Sequence, residues 1–154
     1  MQIKAAKLRH SFQRKPILRI LGAHHALGAK LIEKNGFDGV WASGLEIATS
    51  YALPDANILT MTENLHAAVA MNDATGLPVI CDCDTGYGNA SNVRHMVKKY
   101  EAAGIAAVVI EDKLFPKVNS FVPGRQELAP VEEFMGKIEA AKNITRSVVA
   151  EIQT

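Results

Sequence analysis

Three acidic residues stand where apolar runs of strand length end. Asp82 and Asp84 close the run LPVICDCD (77–84), and Glu111 lies near the end of the next run, IAAVVIED (105–112). Side chains alternate along a strand, and the carboxyl ends of parallel strands meet at one edge of a sheet. We therefore expect the three carboxylates to converge there. Such oxygen ligands suit Mg²⁺ or Mn²⁺, although acidic residues at a strand end can equally cap the following turn.

The two cysteines of the chain, Cys81 and Cys83, alternate with these acids. We expect them to face the other side of the strand and to pack against helices as small apolar groups. The single residue between them disfavours a disulfide within an extended strand, and the chain lacks the further cysteine or histidine spacing of a zinc site. This cysteine usage favours a reduced, cytoplasmic setting.

A glycine-rich turn, TGYGN (85–89), follows the two acids directly. Its pattern is only GxGxxS, and acidic residues immediately before it would repel a pyrophosphate, so we do not expect a dinucleotide site. We expect Gly86 and Gly88 to give the backbone its freedom to turn, and either Asn89 or Ser91 to cap the next helix.

A long irregular segment, DKLFPKVNSFVPGRQE (112–127), comes after Glu111. It exceeds the usual length of a βα loop, about 2–6 residues, and long ordered loops in compact domains are often lids. Its polar side chains can meet a phosphate or carboxylate held on the metal, and a solvated surface loop is the alternative. These side chains belong to Lys113, Lys117, Asn119, Ser120 and Arg125.

The segment WASGLEIATSYALPDANILT (41–60) follows the second apolar run. The small residues Ser43 and Gly44 can present backbone N–H groups to an oxyanion. Asp55 lies in a stretch without periodicity, and we expect it in a loop near the same rim unless it serves only to form a turn. His24, where the first apolar run ends, is also placed to reach this rim.

Five apolar runs of strand length recur along the chain, with helix-patterned segments between them. The runs span 16–23, 37–43, 77–84, 105–112 and 147–151, and the helix-patterned segments span 26–36, 61–76, 92–104 and 130–143. Thr62 is a candidate N-cap and Pro130 a candidate first helical residue. This βα repeat predicts an α/β fold of the (β/α)8 TIM-barrel type. Residues 1–154 would form the N-terminal part of one such domain, about the first four and a half units. A complete doubly wound sheet fits the pattern equally well.

The composition and charge of the chain limit the classes of partner that it could bind. The chain has 154 residues, 48% of them hydrophobic, with a formal net charge of +1 and no long block of either sign. This charge distribution does not indicate nucleic acid or an anionic membrane as partner. No apolar run in the sequence approaches the length that crosses a bilayer, about 20 residues. The basic start, MQIKAAKLRHSFQRK, precedes a run broken by Arg19, which makes a poor secretory signal. Its lack of acidic residues leaves a mitochondrial presequence as the lesser alternative to a cytoplasmic location.

Four motifs together carry a family resemblance. They are WASG at 41–44, LPDANILT at 53–60, DCDTGYGN at 82–89 and EDKLFPKVNS at 111–120. These stretches resemble the phosphoenolpyruvate mutase group of the isocitrate lyase/phosphoenolpyruvate mutase superfamily, over about residues 17–150. The resemblance implies a (β/α) barrel and a small-molecule reaction, the Mg²⁺-dependent interconversion of phosphoenolpyruvate and phosphonopyruvate.

The resemblance also implies roles for particular residues. The metal would be held by Asp82, Asp84 and Glu111, with Asp84 the most direct ligand. The positions implied to bind substrate are Trp41, Ser43, Gly44 and Leu45. The positions implied to be catalytic are Asp55, beside the migrating phosphoryl group, and the lid residues Lys117, Asn119 and Ser120.

Related branches of the superfamily differ at single positions. Asn119 stands where phosphonopyruvate hydrolases typically have threonine, which favours the mutase over the hydrolase. Residues 111–125 lack the catalytic cysteine of the lyases, which disfavours a lyase. Glu151 replaces an arginine that the family pattern expects on the fifth strand. An inactive half-barrel therefore remains an alternative. We expect such a half-barrel to self-associate, and the full-length protein to be a homo-oligomer.

Overall fold

The computed structural model of the protein describes residues 3–124, 126–145 and 149–153. Its helices are α1 (Ile3–Arg14), α2 (Ala26–Lys34), α3 (Gly44–Ser50), α4 (Met61–Ala74), α5 (Ala90–Ala102) and α6 (Val131–Ile144). Its strands are β1 (Ile20–Ala23), β2 (Gly39–Ala42), β3 (Val79–Asp82), β4 (Ala107–Glu111) and β5 (Val149–Gln153). None of the helices in these ranges combines the length and apolarity needed to cross a bilayer.

The five strands form one parallel sheet in the order β1-β2-β3-β4-β5. Sequential order without a reversal is the winding of a barrel, whereas a doubly wound sheet changes direction at a switch point. The barrel alternative from the sequence is therefore correct, and the doubly wound sheet is excluded. Each strand falls within its apolar run, except that β5 extends to Gln153, two residues beyond the predicted run.

The strands alternate between two cores, as a parallel sheet covered on one face by helices should. On β3, Val79 and Cys81 pack into the larger, helix-facing cluster, while Ile80 packs into a smaller cluster on the inner face. Cys83 continues the helix-facing row, and both cysteines are buried free thiols. Burial raises the pKa of the Cys81 thiol. The predicted role of the cysteines as apolar packing groups is thus confirmed.

Helix α1 closes the amino-terminal end of the inner cluster, and the sequence pattern did not predict it. Ala5 and Leu8 are almost fully buried there beside Ala106, which directly precedes β4. The Lys4 ammonium donates to Asn72 Oδ1 at 2.9 Å and to the Thr75 carbonyl at 2.7 Å, just before β3. These contacts join residues about seventy positions apart, which explains why a local pattern misses them.

Helix starts differ from prediction by one or two residues. The N-cap of α4 is Thr60 rather than Thr62, because its Oγ1 accepts from Glu63 N while the Glu63 carboxylate accepts from Thr60 N. Pro130 takes the N-cap position of α6 rather than the first helical one. Asn89 caps α5 as predicted, accepting at Oδ1 from the next turn.

Candidate active site

One ammonium group lies among three carboxylates at the carboxyl edge of the sheet. Lys117 Nζ is 2.5 Å from Asp84 Oδ1, 2.9 Å from Asp55 Oδ1 and 3.4 Å from Glu111 Oε1. These groups come from four segments, namely the loop before α4, the turn after β3, the end of β4 and the segment before α6. The Lys117 side chain is only 5% exposed, so water screens these pairs weakly.

Asp82 completes the cluster but is held differently. Its Oδ1 accepts from Asp84 N at 3.1 Å, and its Oδ2 accepts from Gly44 N at 3.2 Å. Within the described set of ion pairs, Lys117 contacts the other three acids and not Asp82. Two backbone N–H groups thus orient the Asp82 carboxylate, while the nearest cation is engaged elsewhere.

The electrostatics of the cluster leave it with an excess of negative charge. Burial raises the pKa of Asp82 and of Asp84, and the neighbouring Lys117 offsets this only in part. Burial by itself lowers the pKa of Lys117, but the carboxylates of Asp84 and Asp82 outweigh it, and the net shift is upward. The ammonium therefore stays protonated, and the surrounding acids still favour a further cation or proton.

A cavity of about 280 Å³ opens beside the cluster. Its lining residues are Trp41, Ser43, Leu45, Asp55, Asp82, Glu111, Lys113, Lys117, Asn119, Ser120 and Phe121. Gly44 and Asp84 line a small adjoining recess. The structure therefore brings the predicted metal, substrate-binding and catalytic residues to one place, together with Lys113 of the predicted lid segment. It adds Phe121, to which the sequence interpretation gave no role.

Helix α3, which the sequence pattern did not predict, changes the expectation for Ser43 and Gly44. Ser43 is its N-cap, and its Oγ accepts from Glu46 N at 3.3 Å. The backbone N–H of Ser43 donates to the Ala23 carbonyl at 3.2 Å, and that of Gly44 donates to Asp82. Both N–H groups are engaged, so the prediction that they await an oxyanion is wrong.

The segment after β4 is a loop with a paired stem. Lys113 and Leu128 form an antiparallel bridge, and Ala129 N donates to the Asp112 carbonyl at 2.7 Å. The residues between the two sides of this stem form the loop that we call the lid (114–127). The stem anchors both ends of the lid at the edge of the sheet, and this pairing was not predicted from the sequence.

The lid is tied to the cavity through its polar side chains. Lys113 Nζ donates to Ser120 Oγ at 2.7 Å, and Asn119 Nδ2 donates to Asp55 Oδ2 at 3.2 Å. Lys117 N donates to Asn57 Oδ1 at 2.6 Å. Arg125, the other cation predicted in this segment, lies outside the described residues.

The donor set fits a hard divalent cation by its chemistry. Asp84 Oδ1 and Glu111 Oε1 are buried oxygens, and among the described residues their polar contact is with the Lys117 ammonium. Carboxylate oxygens are the ligands that Mg²⁺ and Mn²⁺ prefer. Across the described residues, however, no three acidic, histidine or cysteine side chains stand in a ready coordination arrangement. Because the Lys117 ammonium lies between them, metal binding requires the carboxylates to rearrange.

His24 lies apart from this cavity. Its Nδ1 is 3.3 Å from Glu46 Oε2, and it lines a separate open groove with His66 on α4. The expectation that His24 reaches the rim of the acidic cluster is therefore wrong. The neighbouring His25 serves as the N-cap of α2, accepting at Nδ1 from Gly28 N at 2.9 Å.

The sequentially ordered parallel sheet and the acidic cavity at its carboxyl edge define the class of the protein. It is a (β/α)-barrel protein of the isocitrate lyase/phosphoenolpyruvate mutase superfamily, whose solved members it matches over about half their length. A family model described as phosphoenolpyruvate phosphomutase matches residues 8–152, and the chain belongs to this family.

Two solved structures and one curated relative illustrate the similarity of the chain to known proteins. The crystal structure of phosphoenolpyruvate phosphomutase from Streptomyces platensis subsp. rosaceus is 64% identical with a TM-score of 0.92, covering 96% of this chain and 53% of that one. Phosphonopyruvate hydrolase of Variovorax sp. (strain Pal2) is 49% identical over 139 residues, 90% of this chain and 48% of the relative. A structure of phosphonopyruvate hydrolase complexed with oxalate and Mg²⁺ is 44% identical with a TM-score of 0.87, covering 97% of this chain and 52% of that one. The chain thus spans about half the length of these relatives, whose names include both a mutase and a hydrolase.

Proposed function

We propose that the protein acts as a Mg²⁺-dependent phosphoenolpyruvate mutase that interconverts phosphoenolpyruvate and phosphonopyruvate. The observation that carries this proposal is the contact of the lid with the acidic cluster. Asn119 donates to Asp55, and Lys117 reaches Asp55 and two further carboxylates. A lid that closes directly over the reacting group excludes water, which a phosphoryl transfer within one substrate requires.

We assign the direct contact with the metal to Asp82. Its carboxylate lines the cavity and is oriented by two N–H groups, while Asp84 and Glu111 face Lys117. This assignment replaces the expectation that Asp84 is the most direct ligand and leaves Asp84 and Glu111 as supporting ligands. The divalent ion would supply the positive charge that holds an enolate oxygen during transfer.

The residues of the chain supply positioning and charge. The phosphoryl group leaves the enol oxygen as the O–P bond breaks and joins the methylene carbon as the C–P bond forms, through a loose, metaphosphate-like species. Lys117 and Asn119 are placed to stabilise the charge spread over its oxygens. Asp55 is paired with both of these residues, which reduces the availability of its oxygens for attack. We therefore assign it an orienting role rather than that of a nucleophile.

Hydrolysis of phosphonopyruvate is the second candidate function, because a hydrolase relative shares 49% identity with the chain. The two reactions differ in whether water intercepts the phosphoryl group. The side chain at position 119 bears on this difference, since it lies in the lid beside Asp55. Asparagine at this position is the residue-level argument for the mutase.

A product analysis separates these functions. Phosphonopyruvate is incubated with Mg²⁺ and the protein, both as this chain and as any longer product of a reading frame that continues beyond Thr154. Detection by ³¹P NMR of phosphoenolpyruvate supports the mutase, and detection of phosphate with pyruvate supports the hydrolase. Absence of turnover in both forms, with EDTA-treated samples as the baseline, supports an inactive half-barrel.

A single substitution sharpens the comparison. We expect Asn119→Thr to increase the share of pyruvate among the products, because a shorter side chain leaves room for water beside Asp55. Lys98→Met, on the exposed side of α5, is the matched control and should leave the product ratio unchanged. An unchanged ratio in Asn119→Thr would reject the proposed discriminating role of residue 119.

We also propose the setting in which this chemistry takes place. Residues 1–154 form the N-terminal part of a single barrel domain, and the full-length protein is a cytoplasmic homo-oligomer. The two cysteines, both free and buried, support the cytoplasmic part of this proposal. Sedimentation of the longest expressed product would measure its oligomeric state.

A further inference from the structure

Lys137 is a buried lysine outside the cavity. It lies on α6 with only 2% of its surface exposed. Its Nζ donates to the backbone carbonyl of Thr85 at 3.1 Å and lies 3.2 Å from Glu133 Oε1, one helical turn earlier. Burial of an ammonium group is costly unless the group is paired and hydrogen-bonded, and these two contacts supply both for Lys137.

The carbonyl that Lys137 contacts belongs to the turn that carries Asp84. Thr85 directly follows Asp84, whose φ of 49° places it in the left-handed region that non-glycine residues rarely adopt. The Asp84 carbonyl accepts from Glu111 N at 2.8 Å, which ties this turn to β4. The contact from Lys137 ties the same turn to α6, so the unfavourable backbone conformation of Asp84 is held from both sides.

We propose that Lys137 is a positioning residue for the acidic cluster, acting through the Thr85 carbonyl to fix the direction of the Asp84 carboxylate. This inference rests on the proposed function, in which Asp84 supports a divalent ion. Helix α6 begins immediately after the lid stem, where Ala129 N donates to the Asp112 carbonyl. Lys137 therefore connects the helix that leaves the lid with the turn that carries a metal-supporting acid.

The charge of Lys137 is balanced by its own ion pair, since Glu133 Oε1 lies 3.2 Å from its Nζ. The cavity that holds the acids is lined by two other lysines, Lys113 and Lys117. We therefore assign the effect of Lys137 to its hydrogen bond with the Thr85 carbonyl rather than to its charge.

The test is a Mn²⁺ titration of the chain followed by electron paramagnetic resonance. We expect Lys137→Met to weaken Mn²⁺ binding about 10-fold, the usual effect of removing an outer partner of a metal ligand, and to change the spectrum of bound Mn²⁺. Lys137→Arg, which keeps a cationic donor, should restore most of the affinity. Ile138→Val, a change in a buried neighbour on α6, is the matched control: it should lower thermal stability without altering Mn²⁺ affinity.

The outcomes separate this inference from the proposed function. If the unsubstituted chain fails to bind Mn²⁺, the metal centre and the role of Lys137 are both rejected. If the unsubstituted chain binds and Lys137→Met binds equally well, only the positioning role is overturned. An equal loss of affinity in Ile138→Val would overturn it too, since that result means general loosening. Should Lys137→Met not fold, Lys137→Gln replaces it, because its donor is one bond shorter and cannot reach Thr85.

Discussion

At the scale of single residues, the site contains more carboxylates than the ammonium group among them can pair with. Lys117 pairs with Asp55, Asp84 and Glu111, whereas the Asp82 carboxylate accepts from two backbone N–H groups. Burial raises the pKa of Asp82, which means that the folded chain resists leaving this carboxylate bare. A divalent cation at Asp82 would relieve that cost, and this is the physical basis for placing the metal there.

The first prediction concerns the space beside Asp82. A Cβ on Gly44 would lie 3.0 Å from Asp82 Oδ2 and 3.4 Å from Asp84 Oδ1. We expect Gly44→Ala to weaken Mn²⁺ binding about 10-fold by displacing these carboxylates, measured by isothermal titration calorimetry. The fold should tolerate the change, since alanine is favourable in the first turn of α3.

A glycine on another helix supplies the control for this substitution. Gly136 lies in α6 with open space where its Cβ would stand. Gly136→Ala should stabilise the chain by about 0.5–1 kcal/mol in urea unfolding and leave Mn²⁺ affinity unchanged. Wild-type Mn²⁺ affinity in Gly44→Ala would argue against a metal beside Asp82.

The second prediction is a pH dependence of metal stabilisation. Because the pKa values of Asp82 and Asp84 are raised in the folded chain, proton binding by these carboxylates stabilises the metal-free fold. This stabilisation is complete below the pKa of aspartate in the unfolded chain, about 3.9. The stabilisation is lost as the pH rises through the pKa values of the two carboxylates in the folded chain, because they release their protons. Mn²⁺ can then bind in place of those protons. We expect the increase in Tm caused by Mn²⁺ to be small near about pH 4 and to grow toward about pH 8. Scanning fluorimetry measures this increase in Tm at each pH. Asp82→Asn should abolish most of the increase. An increase in Tm that does not depend on pH would contradict this account.

At the scale of elements, the paired stem distinguishes the lid from a free surface loop. Both ends of the lid are fixed by the bridge between Lys113 and Leu128, while its middle is held by side chains that reach the cavity. Such a loop can open by breaking a few polar contacts without disturbing β4 or α6. The helices around the site provide the rigid frame, each begun by a cap or a turn at the same edge of the sheet.

The third prediction tests how the lid is held. Lys113 Nζ donates to Ser120 Oγ and to the Val118 carbonyl, so Lys113→Met removes two contacts at once. We expect the free energy of lid opening to fall by about 1–2 kcal/mol, and chymotryptic cleavage at Phe121 to accelerate about 10-fold. Phe121 is 87% exposed and accessible to the protease. Lys98→Met on α5 is the control, and equal cleavage of the two variants would show that Lys113 does not hold the lid.

At the scale of the whole molecule, the described sheet has two open edges, at β1 and β5. Unpaired strand edges are templates for association with another chain. Apolar residues are exposed next to the first edge, including Leu21 on β1 and both Leu27 and Leu31 on α2. A complete barrel closes such edges against each other, whereas β1 and β5 are the two edge strands of the described sheet and are not neighbours. When this chain is expressed by itself, these edges are available for self-association.

The fourth prediction is that this chain self-associates. We expect sedimentation velocity to show dimers or larger species, and the paired change Leu27→Lys and Leu31→Lys to shift the population toward monomer. These two leucines are 65% and 51% exposed and lie four residues apart on one face of α2. Leu128→Lys, at a 62% exposed position on the lid stem, is the control for added charge. A stable monomer for the unsubstituted chain would refute the prediction.

Local patterns in the amino-acid sequence were enough to predict several features of the fold and the site. The alternation along β3 separates Cys81 and Cys83 from Asp82, because strand geometry needs no distant partner to assign faces. The βα repeat gave the sheet, and the polar residues at strand ends and in the lid segment identified the cavity. Sequence reasoning left the barrel and the doubly wound sheet equal, because both have the same repeat and differ only in strand order.

The contacts between these residues could not be predicted from the sequence. Lys117 enters the acidic cluster, the Gly44 N–H is engaged by Asp82, and Lys137 reaches Thr85 across 52 positions of sequence. Helix α1 likewise depends on partners far along the chain. Contacts of this kind depend on how distant segments pack, which no local period encodes. Local geometry therefore sets the face and the edge of the sheet at which a residue lies, whereas long-range packing sets which residues it contacts.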